Sequence, residues 1–289
     1  MIAALLPDGR LHLQHGPIDL LCRAWGAPAE MQAAYRQATA AFPSVLPALC
    51  EHLALLRAPL EPTPLGRGLG EGESVAQAMI AASRPYAAGF ITPMAAVAGA
   101  VADHILATMT QGRLLDRAYV NNGGDIAFHV SPGHPLRCGL VTELAAPAID
   151  GVFTLAAAHP ARGVATSGRA CKGCGGRSFS FGIADAVTTL ARTAAEADAA
   201  ATVVANAVDL PGHPGIIRRP ATDIDPDSDL GDRPVTWGVG PLTAAEIATA
   251  LDAGRLVADA LLRRGLIDGA VLALRGRIAT LLPPMLDAA

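Results

Sequence analysis

Two spacings of apolar residues take turns along the chain. Where every second residue is apolar, the segment suits a strand with one buried face; where apolar residues recur every third and fourth position, it suits an amphipathic helix. The stretch "AALLPDGRLHLQ" carries two short apolar runs around a Pro-Asp-Gly turn and predicts a hairpin. Helical spacing follows over Glu30–Leu56, with interruptions expected near Pro43 and Pro47, and returns over Ser74–Ser83. Between them "APLEPTPLGRGLGEGES" is rich in Pro and Gly and predicts a loop. No strand leads into its alternating glycines, so they lack the setting of a phosphate-binding loop.

From Tyr86 strands and helices are mixed. "YAAGFIT" predicts a strand, "PMAAVAGAVADHILATM" a helix with proline in its first turn, and "RAYVNNGGDIAFHV" two strands joined by a tight turn. "RCGLV", "GVFTLAAA", "GVATSG" and "DAVTTLA" read as further strands, and "TAAEADAAATVVANAV" as a helix. The helix "TAAEIATALDAGRLVADALLRRG" and the strand "GAVLALRG" repeat the theme. With no repeat period and no separating linker, this predicts an α/β (α+β) fold: a single domain over residues 1–289, with room for two intertwined halves.

Composition narrows the class. The chain has 289 residues, 51% hydrophobic and 17% charged, enough for a sizeable core and unlike a disordered segment. Aromatics reach only 4%, so the core relies on close backbone packing of alanine. A formal charge of −4, no Lys/Arg run and no interleaved aromatic platform argue against a nucleic-acid partner. "MIAALLPDGR" lacks the basic start of a secretory signal, and the apolar run "AAGFITPMAAVAGAVA" is short for a membrane span and contains Pro93. Five cysteines, an odd number, fit a reducing compartment, so the expectation is a cytoplasmic protein without a membrane partner. The alanine-rich helices suit packing within one chain or in a homo-oligomer.

Candidate chemistry gathers in a few places. Asp198 and Thr202 stand four residues apart and leave the same helix face, offering the hard oxygens that Mg²⁺ accepts. A surface helix with a thin polar stripe is the alternative. In "VNNGGD", Gly123 and Gly124 let a ligand approach the main chain, with Asn121, Asn122 and Asp125 around them; an ordinary hairpin turn explains the same residues. Thr166, Ser167 and Gly168 end a strand in a form that can cradle phosphate or simply turn. The helix start from Pro93 and Met94 to Gly99 is either an anion site or a close-packing stripe. "CKGCGG", with Cys171 and Cys174, is one Cys pair without the second pair a structural zinc site needs. "TDIDPDSDLGD" has the wrong glycine offset for a calcium loop and reads as a turn-rich loop. His104 and His129 form no metal-binding pair.

Taken in order, "TPMAAVAGAVAD", "VNNGGDI", "GVATSG", "SFSFGIADAVTTLA" and "ADAAAT" resemble the ApbE-like superfamily of magnesium-dependent FAD:protein FMN transferases, and more closely its shorter branch. The resemblance implies Mg²⁺ at Asp198 and Thr202 within A-D-A-x-A-T. The superfamily's N-x-G-G-D turn matches Asn121, Gly123, Gly124 and Asp125, and its T-S-G matches Thr166, Ser167 and Gly168. These matches imply contacts to FAD or a related flavin nucleotide, with amides from Asn122 to Asp125 and from Thr166 to Gly168 holding it. In such transferases a threonine of an acceptor protein attacks the FAD pyrophosphate, so a small-molecule nucleotide and a protein acceptor are the implied partners. The chain departs from the pattern at two motifs. Ala98 stands about where the transferases have lysine, and "SFGIADA" keeps Asp185 but has no histidine. Asp185 is then the candidate for proton transfer or a second metal contact, and a non-catalytic flavin-binding accessory protein is the alternative reading.

Overall fold

The computed structural model describes residues 1–62, 74–140, 151–168 and 179–282. The chain opens with strands β1 (Ile2–Leu5), β2 (Leu11–His15) and β3 (Ile18–Gly26), then helices α1 (Pro28–Glu51), α2 (Leu53–Arg57) and α3 (Val75–Ser83). A 3-10 turn, Pro93–Ala96, leads into α4 (Val97–Thr110), followed by β4 (Leu115–Asn122) and β5 (Asp125–Val130). Next come β6 (Leu136–Leu140), β7 (Gly151–Leu155), β8 (Gly163–Ser167), β9 (Ala186–Ala191) and α5 (Ala194–Ala207). The remaining elements are β10 (Ile216–Pro220), β11 (Pro234–Val239), α6 (Ala244–Arg263), β12 (Gly269–Leu274) and β13 (Arg277–Leu281). The predicted mixture of helices and strands is therefore present. Most of the Pro/Gly-rich loop and all of "CKGCGG" lie outside the described residues.

Two compact units share the chain. Met1–Arg137, Thr154–Ala165 and Leu190–Ala199 form one; Cys138–Phe153, Thr166–Thr189 and Ala200–Ala289 form the other. In the first unit an antiparallel sheet runs in the order β1-β2-β3-β4-β5-β8. Tight turns set its registers. Asn122 pairs with Asp125 across Gly123 and Gly124, whose φ angles of +66° and +109° suit a two-residue hairpin loop. Along β3, Ile18, Leu20, Cys22 and Ala24 point inward while the alternate residues meet solvent, the period-two pattern of a half-buried strand. Against this face α1 presents Ala34, Ala38, Phe42, Val45 and Leu49, and α4 presents Ala102, Ile105 and Met109. Gln37 of α1 donates to the Thr108 and Gln111 carbonyls at the end of α4, satisfying groups that a helix end leaves open.

In the second unit β9, β12 and β13 are neighbours, and β10–β11 and β6–β7 form two-stranded sheets. Every residue of β9 and β12 is buried, as in strands covered on both faces. Helix α6 starts with a capping box between Thr243 and Glu246. It buries Ile247, Ala250, Leu251, Ala258 and Leu261, and Gly254 lets it approach Val208 and Leu272 closely.

Two expectations need correction. Residues 86–92 do not form a strand. After a 3-10 turn at Arg84–Tyr86, the amides of Ala87 and Gly89 bond back to the carbonyls of Arg84 and Tyr86, and the Ile91 carbonyl accepts from the Leu60 amide, so these groups are committed outside any ladder. Nor do Pro43 and Pro47 interrupt α1. Both lie on its exposed face, four residues apart, where carbonyls deprived of a partner can be hydrated. No helix among the described residues is long and apolar enough to cross a membrane.

Replacing Pro43 by alanine restores one helix hydrogen bond and removes a ring clash, against a smaller loss of unfolded-state restriction. The net expectation is a gain of roughly 1–2 kcal/mol, read as a higher urea midpoint.

Candidate functional site

In the first unit the starts of two helices meet. A Cβ on Gly99 of α4 would lie 2.2 Å from the Ala194 carbonyl oxygen and 2.4 Å from its carbon, so no other residue fits there. Each helix then receives the other with a carboxylate. Asp103 of α4 accepts from the first two amides of α5, Ala194 at 3.0 Å on Oδ1 and Ala195 at 2.9 Å on Oδ2. Asp198 of α5 accepts from the Gly99 amide on Oδ2 at 3.0 Å, near the start of α4, with the Ala98 amide adding to the same effect. Helix N-termini carry partial positive charge and open N–H groups, so the exchange satisfies donors that helix geometry strands.

Burial pushes the Asp198 carboxyl well above its ordinary range, and the negative charges of Asp125 and Asp103 push it further, against the lowering by the two amides. The carboxyl lies deep among protein atoms, while the residue as a whole is only half-buried and so meets solvent in part. Asp103 is pushed up to about 6, chiefly by burial and partly offset by the Ala195 and Ala194 amides. Asp125 belongs to the same neighbourhood through the β4–β5 turn. There Asn121 accepts from the Gly124 amide at 2.8 Å, and the Asn122 side chain donates to the Ala98 carbonyl at 3.1 Å. A Cβ on Gly123 or Gly124 would meet nothing within 4 Å, so the turn's main chain stands open.

The first unit thus brings together Asp198, Gly99, Asn122, Gly123, Gly124 and Asp125, with Pro93 buried and Met94 half-buried in the 3-10 turn that precedes α4. Thr202 follows one turn later on α5, half-buried, and falls in the second unit. That unit also holds Thr166, Ser167, Gly168 and Asp185. Thr166 shares a 2.8 Å hydroxyl hydrogen bond with Thr188. Gly168, at φ +130°, passes so close to the Asp185 backbone that a Cβ would sit 2.6 Å from its carbonyl oxygen. The Asp185 carboxylate accepts from the Arg275 amide in the β12–β13 turn, where Arg275 has a positive φ of 50°. Asp185 therefore steadies a strained turn. Among the described residues no group of three or more His, Cys, Asp or Glu side chains is arranged to hold a metal ion. A cation at Asp198 would rely on hydroxyl, carbonyl or water oxygens for the rest of its shell.

Sequence reading overlooked Asp103, although a lone carboxylate inside "AVAGAVADHILA" is the mark of a side chain with a specific partner. The family model described as "AbpE bacteria" matches residues 3–280. The chain belongs to this ApbE-like family. Among curated proteins it is similar to a UPF0280 protein of Methanospirillum hungatei, 32% identical over 173 residues, which cover 58% of this chain and 65% of that one. It is also 37% identical over 150 residues to a UPF0280 protein of Methanopyrus kandleri, covering 48% of this chain and 52% of that one. The matches thus span about half to two thirds of the length of these relatives. A solved structure of an ApbE protein from Thermotoga maritima aligns with 16% identity and a TM-score of 0.37, over 66% of this chain and 50% of that one.

Two outcomes follow for this ApbE-like helix pair. Gly99→Ala forces backbone against backbone and is expected to cost roughly 3 kcal/mol or more, read as a lowered thermal midpoint. A carboxyl whose pKa is higher folded than unfolded binds more protons when folded, so its contribution is lost as pH rises. Stability is therefore expected to fall by roughly 2 kcal/mol between about pH 4 and pH 6 on account of Asp103. Asp103→Asn should start lower and show a flatter pH profile across that window in urea melts.

Proposed function

We propose that the chain is a Mg²⁺-dependent protein that binds a flavin or related nucleotide through its pyrophosphate, and that it cleaves or transfers across that linkage. The observation that carries the reading is the Asp198 carboxylate, on a half-buried residue: burial raises its pKa and the negative charge of Asp125 and Asp103 raises it further. Such a group gains most from a hard cation, which relieves both the desolvation and the repulsion. The Gly99 and Ala98 amides occupy part of the Asp198 carboxylate, and its remaining lone pairs suit a metal ligand. The resemblance adds Thr202, at i+4 on the same helix. Magnesium, when bound, neutralises phosphoryl oxygens.

The chain's own residues would do the positioning. The main chain at Gly123 and Gly124, with no side chain to crowd it and with the Gly124 amide held by Asn121, suits close approach of a phosphate. Asn122, tied to Ala98, would hold that turn against the start of α4. Thr166, Ser167 and Gly168 are further flavin-nucleotide contacts on the family pattern, and Asp185 is the candidate for proton transfer. The absence of a lysine at Ala98 favours the second reading, a flavin-binding accessory protein without turnover.

The test is incubation of the full chain with FAD and Mg²⁺, following AMP release alongside calorimetric titration of Mg²⁺ and FAD. Release that is lost on chelation and falls at least a hundredfold in Asp198→Asn supports the enzyme. Saturable FAD binding with no AMP supports the accessory protein. Mg²⁺ binding as tight in Asp198→Asn as in the wild type removes the metal role of this carboxylate.

A further inference from the structure

The solvent face of the β3–β4 pair carries a feature that the cation site does not use. Arg23 pairs with Tyr119 and Trp25 with Arg117 in the antiparallel register, so these four side chains form a square on one face. Cys22, Ala24, Ala118 and Val120 alternate with them and are buried on the other face, where α1 and α4 pack. The Arg23 guanidinium lies 4.9 Å from the centre of the Trp25 ring and that of Arg117 4.6 Å from it, while the Tyr119 ring is 5.8 Å from the indole. The square lines a cavity of about 670 Å³ that Leu136 and Arg137 also line. Three guanidinium groups therefore face a single carboxylate in this cavity, Asp116, whose near neighbour at 3.7 Å is His134.

Arg117 spends one donor on the Pro135 carbonyl at 3.0 Å. Among the described residues, Arg23 and Arg137 have no carboxylate within ion-pair distance. Guanidinium planes stacked on aromatic rings are held flat, with their N–H edges presented as a fork that matches phosphate oxygens. We propose that this cavity is a second ligand site, separate from the cation site, and that it takes a phosphorylated aromatic compound of nucleotide size. The arginine edges grip the phosphate, and the Trp25–Tyr119 wall with its stacked guanidinium groups supplies a planar surface for the ring. The volume falls within the range of small-molecule pockets, roughly 300–1,000 Å³. The feature escapes a search for basic runs because it is assembled from R-x-W at Arg23–Trp25 and R-x-Y at Arg117–Tyr119, which only strand pairing brings together.

The test uses the full chain with Trp237→Phe, leaving Trp25 as the sole tryptophan, in buffer containing a chelator. GMP, guanosine and inorganic phosphate are titrated separately while Trp25 fluorescence is followed. GMP is expected to quench saturably and to bind at least tenfold tighter than guanosine or phosphate. Lysine at both Arg23 and Arg117 keeps the charge but loses the planar fork, and should weaken GMP at least tenfold with an unchanged thermal midpoint. Asp198→Asn should leave GMP affinity within twofold. The proposal is overturned if millimolar GMP gives no saturable quenching, or if phosphate alone binds as tightly as GMP. It also fails if the double lysine variant binds GMP like the wild type, or if Asp198→Asn abolishes binding.

Discussion

Two helices that begin side by side would ordinarily repel, since each start carries partial positive charge and unpaired N–H groups. Here the conflict is resolved by exchange. Asp103 of α4 holds the amides of Ala194 and Ala195, and Asp198 of α5 holds that of Gly99. The exchange needs backbone contact, which is why Gly99 has no room for a methyl group against Ala194. The alanines and glycine around these starts, which look like filler in the sequence, are the condition for that approach.

The arrangement concentrates negative charge beyond what the amides neutralise. Asp125, brought in by the β4–β5 turn, raises Asp198 further, and the open glycines of the same turn put bare main chain nearby. The carboxylate that seats one helix start against another is also the one proposed to face a cation. The hydrogen bond to the Gly99 amide gives this acid a partner within a helix as apolar as α5.

Much of this was legible in the residues. The hairpin around Pro7, Asp8 and Gly9, the Gly123–Gly124 turn and helices α3 to α6 follow from apolar spacing and turn chemistry, which are local properties. Residues 86–92 misled because alanine, phenylalanine and isoleucine suit a strand or a packed turn equally, and tertiary contacts decide between them. The prolines of α1 misled because their cost depends on which side faces water, a matter of packing. The motif "ADAAAT" and the glycine turn lie far apart in the chain, and Asp198 and Asp125 share one neighbourhood. What could not be read was pairing between distant segments: Asp103 with the start of α5, or Arg23 and Trp25 of β3 with Tyr119 and Arg117 of β4.

The interleaving of the two units has a bearing on synthesis. The first unit is not a contiguous piece of chain; its last segment, Leu190–Ala199, is separated from Arg137 by stretches belonging to the second. A nascent chain emerging from the ribosome at roughly 5–20 residues per second must therefore wait several seconds after β5 before Asp198 arrives. Until then the start of α4 has no carboxylate from α5 to cap it, and its apolar face must persist without its final neighbour. The protein completes its amino-terminal half late, and translational pausing between those points would lengthen the interval in which chaperones find it unfinished.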